Sequence, residues 1–369
     1  MNRYFYYCVT IVSMLNLMLF VPYLLIQDRY TGAISSMILA TVIGTTMAFL
    51  FTHVMKAFPS KGVPEIFAMY FPKWVTAPLM FILGSMYFIS ASIVLNGFAV
   101  LINRFLNPDT SPIVVLSLLS LACIYGATRS TLTNIFIVEM GLILNVPLIL
   151  MILFKSYRNP NLDWDAMLTI AQYWRNPPKL ASYAAAVYLF TGYSGYAIFN
   201  RLNPPNFRLR YRWLIPLVCC FIMVSSFFVP IGFHGTETVA SYLYVWSVTA
   251  DSMTMEYGFL ERVVFIFLLL YLNLTLVYTA NVWHIAMEFF KSCLPKAKPQ
   301  IDPERTPLSN WIIACILGLI TIITSNLLDE KQDLRLATSW LVFRVFVEVI
   351  SVLFLFVLSI TAGRKKPST

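Results

Sequence analysis

Charged residues are scarce in this sequence. Asp, Glu, Lys and Arg together make up 12% of the 369 residues, whereas a soluble chain carries about 25%. Hydrophobic residues make up 59%, and the mean hydropathy is +0.74. Because the apolar runs are long enough to cross a bilayer, the chain is predicted to be a polytopic membrane protein surrounded by lipid.

The motifs of common enzyme classes are also missing. The sequence has no Walker A loop, no GxSxG, no HExxH and no pair of carboxylates on a soluble domain. Its longest polar stretches, residues 155–179 and 292–307, are too short to fold alone. The six cysteines lie mostly within apolar runs and lack a CxxC or Cys/His ligand spacing. We therefore expect no enzyme activity, metal site, cofactor or disulfide framework.

The formal charge of +9 does not predict a nucleic-acid partner. The basic residues stand in short clusters between apolar runs, as expected of loop charges that set membrane orientation. With the N-terminus inside, the inner segments hold more Lys and Arg than the outer loops, although residues 155–179 are basic on the outer side. Both termini are therefore predicted to be cytoplasmic. The first apolar run lacks a small-residue cleavage site and is expected to remain as the first span.

Ten runs with few or no charges predict ten transmembrane helices in one all-α domain, residues 1–369. The predicted spans are residues 5–27, 31–55, 74–103, 111–128, 133–154, 180–200, 213–233, 259–287, 308–328 and 338–362. The third and eighth runs are longer than a perpendicular crossing needs, so these helices are expected to tilt or to project from the membrane.

The sixth run contains two glycines three residues apart, Gly192 and Gly195, beside Thr191, Tyr193 and Ser194. Gly costs about 1 kcal/mol relative to Ala inside a helix, and unwound backbone in a membrane must face protein, water or a ligand. The pattern is typical of the broken helices with which secondary transporters hold small polar substrates. Close packing of a neighbouring helix against the glycines is the alternative explanation.

The first run holds a second weak point. Pro22 removes a backbone N–H and disfavours helix just before it, and Asn16 is a costly polar group at membrane depth. In a five-plus-five inverted repeat, here residues 5–154 and 180–362, spans one and six correspond, and paired interruptions mark a binding site. Helix one is therefore predicted to open between Leu19 and Pro22. A tolerated proline kink, with Asn16 bonded to a neighbouring helix, is the alternative.

Several stretches together resemble the spore germination permease family. They are FVPYLLIQDRYTGAISSMILA (residues 20–40), FPSKGVPEIF (58–67), YGATR (125–129) leading into Glu139, and FLER (259–262) at the start of span eight. The family comprises the B-type subunits of germinant receptors, distant relatives of amino acid–polyamine–organocation transporters. The resemblance implies a LeuT-like fold, the inner spore membrane, a membrane-anchored A-type partner subunit and a C-type lipoprotein partner.

Charged side chains within predicted spans are costly unless they are paired or hydrated. Glu139 lies in span five, and Arg344 and Glu348 lie in span ten at the i,i+4 spacing at which side chains on one helix face meet. Two interpretations of these charges are open. They form a structural ion pair, or they act as a gate or as charges near the ligand path.

The ligand is expected at mid-membrane between the broken first and sixth helices, walled by spans three and eight. A half-helix start could offer N–H groups to a carboxylate, which favours a small polar molecule such as an amino acid. The candidate ligand residues are Asn16, Leu19, Tyr87, Thr191, Gly192, Tyr193, Ser194, Gly195, Asn273 and Thr275. The alternative for Tyr87, Asn273 and Thr275 is ordinary hydrogen bonding between helices.

Three functions are compatible with these features. The first is a germinant-sensing receptor subunit, in which a bound small molecule biases a conformational equilibrium that partner subunits read. The second is a secondary transporter of amino acids or related small molecules. The third is an ion or water conduit that opens during germination.

Overall fold

The computed structural model describes residues 2–16, 20–106, 108–204, 209–253, 262–294 and 301–364. This part of the protein is all-helical. The α-helices are α1 Asn2–Asn16, α2 Phe20–Gln27, α3 Ala33–Ala57, α4 Val63–Tyr70, α5 Lys73–Phe105, α6 Pro112–Ala127, α7 Thr131–Tyr157, α8 Trp164–Ala171, α9 Leu180–Tyr188, α10 Tyr196–Phe199, α11 Leu214–His234, α12 Val245–Asp251, α13 Val263–Cys293, α14 Leu308–Leu327 and α15 Glu330–Arg364. Four short 3-10 helices complete it: Gln172–Arg175, Thr191–Gly195, Asn200–Leu202 and Thr238–Ser241.

Seven helices in the described part of the chain are long and apolar enough to cross a membrane: α3, α5, α7, α11, α13, α14 and α15. The bent pair α1 and α2, whose axes differ by 58°, brings the number of candidates to eight. As expected for the long third and eighth spans, α5 has 33 residues and α13 has 31. At 1.5 Å per residue these helices are ~50 Å and ~46 Å long.

The predicted fourth and sixth spans are shorter elements. Helix α6 has 16 residues, and the sixth run is divided into α9, a 3-10 segment and α10. By length and composition, the described residues therefore contain up to eight candidate spans, two fewer than the ten predicted.

The predicted opening of the first span lies partly within the described residues. Leu19 lies outside the described residues, whereas Phe20, Val21 and Pro22 form the first turn of α2. Proline is tolerated there because the first N–H groups of a helix have no intrahelical partner. Pro22 therefore starts a helix and does not lie in unwound backbone.

Short connecting helices were not predicted, and α4 shows why. The backbone N–H of Gly62 donates to Oε2 of Glu65 at 2.7 Å, and Pro64 stands in the first turn, both ordinary helix-start features. The signal is present in the sequence as Gly-Val-Pro-Glu. Apolar runs of membrane length do not reveal this helix, because α4 has only eight residues.

The core lies around α13, which packs mainly against α5, α6 and α7. Helix α1 packs against the 3-10 segment after α9. The outward faces of α14 and α15 expose large apolar side chains such as Leu319, Ile323, Phe346 and Ile350. In a membrane protein such faces meet lipid, and the interior positions the polar groups described below.

Ion pairs connect helix ends at both ends of the bundle. At one end the pairs are Asp28–Lys179, Arg29–Glu237 and Arg104–Glu330. At the other end they are Arg3–Glu139, Arg201–Glu65, Arg201–Glu288 and Lys291–Glu288. A further pair, Arg344–Glu348, lies between the two ends within α15.

Candidate functional site

The helix in the sixth run tightens after Tyr188 and does not open. The N–H groups of Leu189 and Phe190 donate to the carbonyls three residues earlier, at 3.3 Å and 3.0 Å. The segment Thr191–Gly195 continues as 3-10 helix, which has about three residues per turn. Backbone groups in this segment are therefore less exposed than in the extended break that the sequence suggested.

Gly192 has a packing role that accounts for its identity. A Cβ built there would lie 2.3 Å from the carbonyl oxygen of Cys8 and 2.4 Å from Cα of Val9. Only glycine lets α1 approach the segment so closely. At Gly195 the same construction meets, among the described residues, only Cδ1 of Ile285, at 3.4 Å. The close-packing explanation therefore applies to Gly192, and Gly195 has room for a side chain.

A small central cavity lies between α1, α5, the 3-10 segment, α13 and α15. The candidate residues that line it are Tyr87, Thr191, Gly192, Ser194, Gly195, Arg344 and Glu348. Its volume is about 30 Å³, enough for a water molecule but too little for an amino acid. A ligand as large as an amino acid can enter only if the surrounding side chains or helices move.

Tyr193 borders the central group: its ring packs against Phe51, with 5.3 Å between ring centroids, and its hydroxyl lies near the Glu348 carboxylate. The remaining described candidate ligand residues lie elsewhere. Asn273 accepts a 2.7 Å hydrogen bond from Asn145 of α7, and the hydroxyl of Thr275 is buried without a partner among the described residues. Asn16 lines a neighbouring cavity. These residues are not brought together with the central group in the described conformation.

Three hydroxyl groups meet beside the central cavity. Ser90 Oγ lies 2.7 Å from Tyr188 Oη and 2.6 Å from Tyr278 Oη, and the two tyrosine oxygens are 2.5 Å apart. Ser90, Tyr188 and Trp340 line both the central cavity and the cavity that Asn16 lines. Sequence analysis missed this triad because its members come from three distant helices, and a serine or tyrosine in an apolar run is not distinctive.

The candidate charges differ in their surroundings. Glu139 is 9% exposed and binds Arg3 at 3.1 Å and the Tyr7 hydroxyl at 3.0 Å, both from α1. Arg344 and Glu348 bond to each other through Nη1 and Oε2. The two charges thus form an ion pair, yet Nε and Nη2 of Arg344 and Oε1 of Glu348 have no hydrogen-bond partner among the described residues.

A second buried charge cluster surrounds Arg201. The sequence does not predict it, because Arg201 directly follows the predicted sixth span, residues 180–200, and therefore falls among the basic loop residues. The amide of Asn200 donates to the carbonyls of Phe58 and Lys61 at 2.9 Å and 2.7 Å. These bonds join Asn200 to the segment before α4, and the neighbouring Arg201 is only 5% exposed. Its guanidinium binds Glu65 and Glu288.

A cavity of about 360 Å³ lies beside this cluster. Its lining residues carry both charge signs: Glu65, Lys73, Arg201, Glu288 and Lys291. None of the candidate ligand residues in the described part of the chain lines it. The larger cavity therefore lies at one end of the bundle, and five of the predicted ligand residues line the smaller central one: Tyr87, Thr191, Gly192, Ser194 and Gly195.

Comparison with known proteins gives a family and a fold. The family model described as spore germination protein matches residues 8–334, and no curated protein matches the chain. Among solved structures, the protein is similar to the nucleobase-cation-symport-1 family transporter MHP1 in a closed conformation with bromovinylhydantoin bound. The sequence identity is 12%, the TM-score is 0.50, and the match covers 89% of this chain and 73% of that chain.

A second similar structure is a Na+-coupled sialic acid symporter in a substrate-bound outward-open state. Its sequence identity is 12%, its TM-score is 0.49, and the match covers 96% of this chain and 78% of that chain. Both solved proteins are LeuT-fold transporters. At 12% identity, the likeness to MHP1 concerns the fold alone.

Proposed function

This chain belongs to the spore germination protein family, and we propose that it is the germinant-sensing subunit of a spore germinant receptor. It is an integral membrane protein with a permease-like fold. In our proposal it lies in the inner spore membrane with both termini in the cytoplasm and crosses the membrane ten times in two inverted repeats. Its proposed partners are a membrane-anchored A-type subunit and a C-type lipoprotein.

The observation that carries the proposal is the central cavity. Polar groups from α5, the 3-10 segment and α15 converge there, including Tyr87, Ser194 and Arg344. A concave site with few polar groups in an apolar wall is typical of small-molecule binding. The proposed ligand is a small polar germinant, an amino acid in the first instance.

The size of the cavity supports sensing by conformational change. At about 30 Å³ the cavity is closed to an amino acid, so the ligand-bound protein must differ in shape from the described one. A ligand shifts an equilibrium between two states by its difference in affinity for them. Here that difference is large, because one state has no room for the ligand, and partner subunits can respond to the widened state.

The test is germination of spores that carry or lack the gene, against amino acids, nucleosides and sugars. We expect deletion to abolish the response to at least one germinant. Gly195→Val should leave the protein level unchanged but shift that response to higher concentrations, because the new side chain enters the cavity beside Ile285. Ala122→Val on the exposed face of α6 is the control. An unchanged response of Gly195→Val spores to every germinant would contradict the assigned cavity.

Transport is the second candidate function, favoured by the fold likeness to the transporter MHP1. The purified protein in liposomes should then accumulate labelled alanine or another amino acid to which the spores respond. Sensing without transport predicts ligand binding to the same liposomes and no accumulation.

A further inference from the structure

The Arg344–Glu348 pair in the wall of the central cavity is incomplete. Arg344 is 2% exposed and Glu348 is 7% exposed, and one bond joins them. A guanidinium has five N–H donors and a carboxylate has about four acceptor positions. Leaving such groups buried and unpaired is costly, so the described conformation leaves binding capacity unused at this position.

The unpartnered atoms of Arg344 are the two that suit a carboxylate. Nη1 is engaged by Glu348, whereas Nε and Nη2 have no partner among the described residues. Nε and Nη2 share one edge of the planar guanidinium, and an edge of this kind binds both oxygens of a carboxylate at once. The Tyr188 ring centroid lies 4.7 Å from the guanidinium carbon, a cation–π contact that favours this position of the guanidinium. The free edge is therefore a preformed fork for an anion.

Two unpartnered acceptors line the same cavity. They are Oε1 of Glu348 and Oδ1 of Asn281, and Asn281 is 3% exposed. An ammonium group has three N–H donors and no acceptor, so it satisfies both oxygens and balances the charge of Glu348. The cavity thus combines donors for an anion with acceptors for a cation.

From these positions we propose that Arg344 and Glu348 are the specificity-determining residues for a zwitterionic ligand, an inference that rests on the proposed function. The ligand's carboxylate binds the Nε and Nη2 edge of Arg344. Its ammonium binds Oε1 of Glu348 with help from Asn281. The ligand class is an α-amino acid whose carboxylate and ammonium groups are both free. Neutralising either of these two ligand groups removes recognition.

Germination of spores with wild-type and variant protein tests this directly. The probes are L-alanine, L-valine and the other common L-amino acids, each with its carboxamide and its des-amino acid, and with inosine and glucose as uncharged probes. Wild-type spores should respond to at least one amino acid at a concentration at least tenfold below that of its amide or des-amino form. Arg344→Lys, which keeps the charge but loses the fork, should raise the amino-acid concentration needed by at least tenfold.

Variants that neutralise one charge separate the two contacts. Arg344→Gln should reduce the difference between the concentrations of the amino acid and of its amide that are needed for germination. Glu348→Gln should reduce the corresponding difference between the amino acid and its des-amino form. The matched control is Arg104→Gln, which breaks the exposed pair with Glu330 and should leave both differences unchanged. Immunoblots of spore membranes report protein level. If Arg344→Gln does not accumulate, Arg344→Lys and the double variant Arg344→Gln/Glu348→Gln provide the comparison.

The outcomes distinguish this inference from the proposed function. Wild-type spores that need the gene for germination but respond to inosine or glucose, or equally to an amino acid and its amide, would overturn zwitterion recognition and leave the receptor function intact. Accumulated Arg344→Lys and Glu348→Gln variants with wild-type responses to all probes would overturn it as well. Deletion spores that germinate like the wild type would overturn both.

Discussion

Arg201 and Glu288, 87 residues apart in the sequence, are joined by a 2.5 Å bond between Nη1 and Oε2. Their side chains are 4% and 3% exposed. Arg201 also binds Glu65 through Nε and Nη2 at 3.0 Å and 2.6 Å. One arginine thereby connects the end of the sixth run to α4 and to the last turns of α13.

Removal of this arginine should be strongly destabilising. Among the described residues, Arg201→Gln leaves Glu65 without a basic partner and Glu288 with Lys291 alone. Breaking a buried ion pair costs about 3–5 kcal/mol. Thermal unfolding of the purified protein in detergent measures the loss. The control is Arg104→Gln at the exposed pair with Glu330, with an expected cost of about 0–1 kcal/mol. Equal losses from the two variants would contradict the importance of burial at Arg201.

The two glycines of the 3-10 segment should respond differently to the same change. Gly192→Ala places a methyl group against the backbone of Cys8 and Val9, and overpacking of this kind costs about 1–3 kcal/mol. In the described part of the chain, the new methyl group of Gly195→Ala meets only Cδ1 of Ile285, at ordinary contact distance. This variant should therefore keep a stability close to that of the wild type. Unfolding temperatures of the two variants decide the point. Equal tolerance of both would show that α1 does not pack against Gly192 in the membrane.

The hydroxyl triad predicts a contrast between two tyrosines of α13. Tyr278→Phe removes two of the three bonds among Ser90, Tyr188 and Tyr278 and should cost about 1–2 kcal/mol. Tyr271→Phe removes a buried hydroxyl that has no partner among the described residues, so it should be neutral or stabilising. Calorimetry of both variants in detergent tests the contrast, and a larger loss from Tyr271→Phe would contradict it.

Asp28 should make stability depend on acidity. Burial opposes its charge, but hydrogen bonds from Lys179, Ser182 and Thr31, together with the positive charge of Lys179, outweigh burial and hold the pKa of Asp28 below its usual value. A carboxylate with a lowered pKa in the folded protein stabilises above its unfolded pKa, about 3.9, and this contribution is lost as pH falls through the folded pKa. Asp28→Asn should therefore show a smaller loss of unfolding temperature than the wild type between about pH 6 and 3.

The control for that measurement is Asp302→Asn, at an exposed carboxylate, which should retain the acid sensitivity of the wild type. An Asp28→Asn variant as sensitive to acid as the wild type would show that the bonds to α9 do not stabilise the folded protein.

The all-helical membrane fold could be predicted from the sequence because hydropathy and charge act locally. A bilayer excludes charges and unpaired backbone groups from any run that crosses it, so apolar runs marked the positions of α3, α5, α7 and α13 without knowledge of their partners. Short helices such as α4 escaped this reasoning, since their stability comes from capping and tertiary contacts.

The candidate site could be predicted only in part. Tyr87, Ser194 and Gly195 were identified because polar or small residues in the middle of an apolar run are costly and therefore informative. Asn273 carries the same signal, but its amide oxygen is satisfied by Asn145 of another helix, a partner that no single run reveals. Arg201 was misjudged because a loop charge and a buried charge at the end of a helix have the same sequence pattern.

The sequence by itself determined that the chain is a membrane protein and at which residues its long helices lie. It also determined that the sixth run is weakened at Gly192 and Gly195. Those properties depend on residues that are neighbours along one helix. Only the tertiary structure decided that Gly192 serves the approach of α1, that Arg201 joins three segments, and that Arg344 presents a free edge beside Tyr87 and Ser194. Each of these depends on distances between segments far apart in the chain, which packing sets and local composition does not.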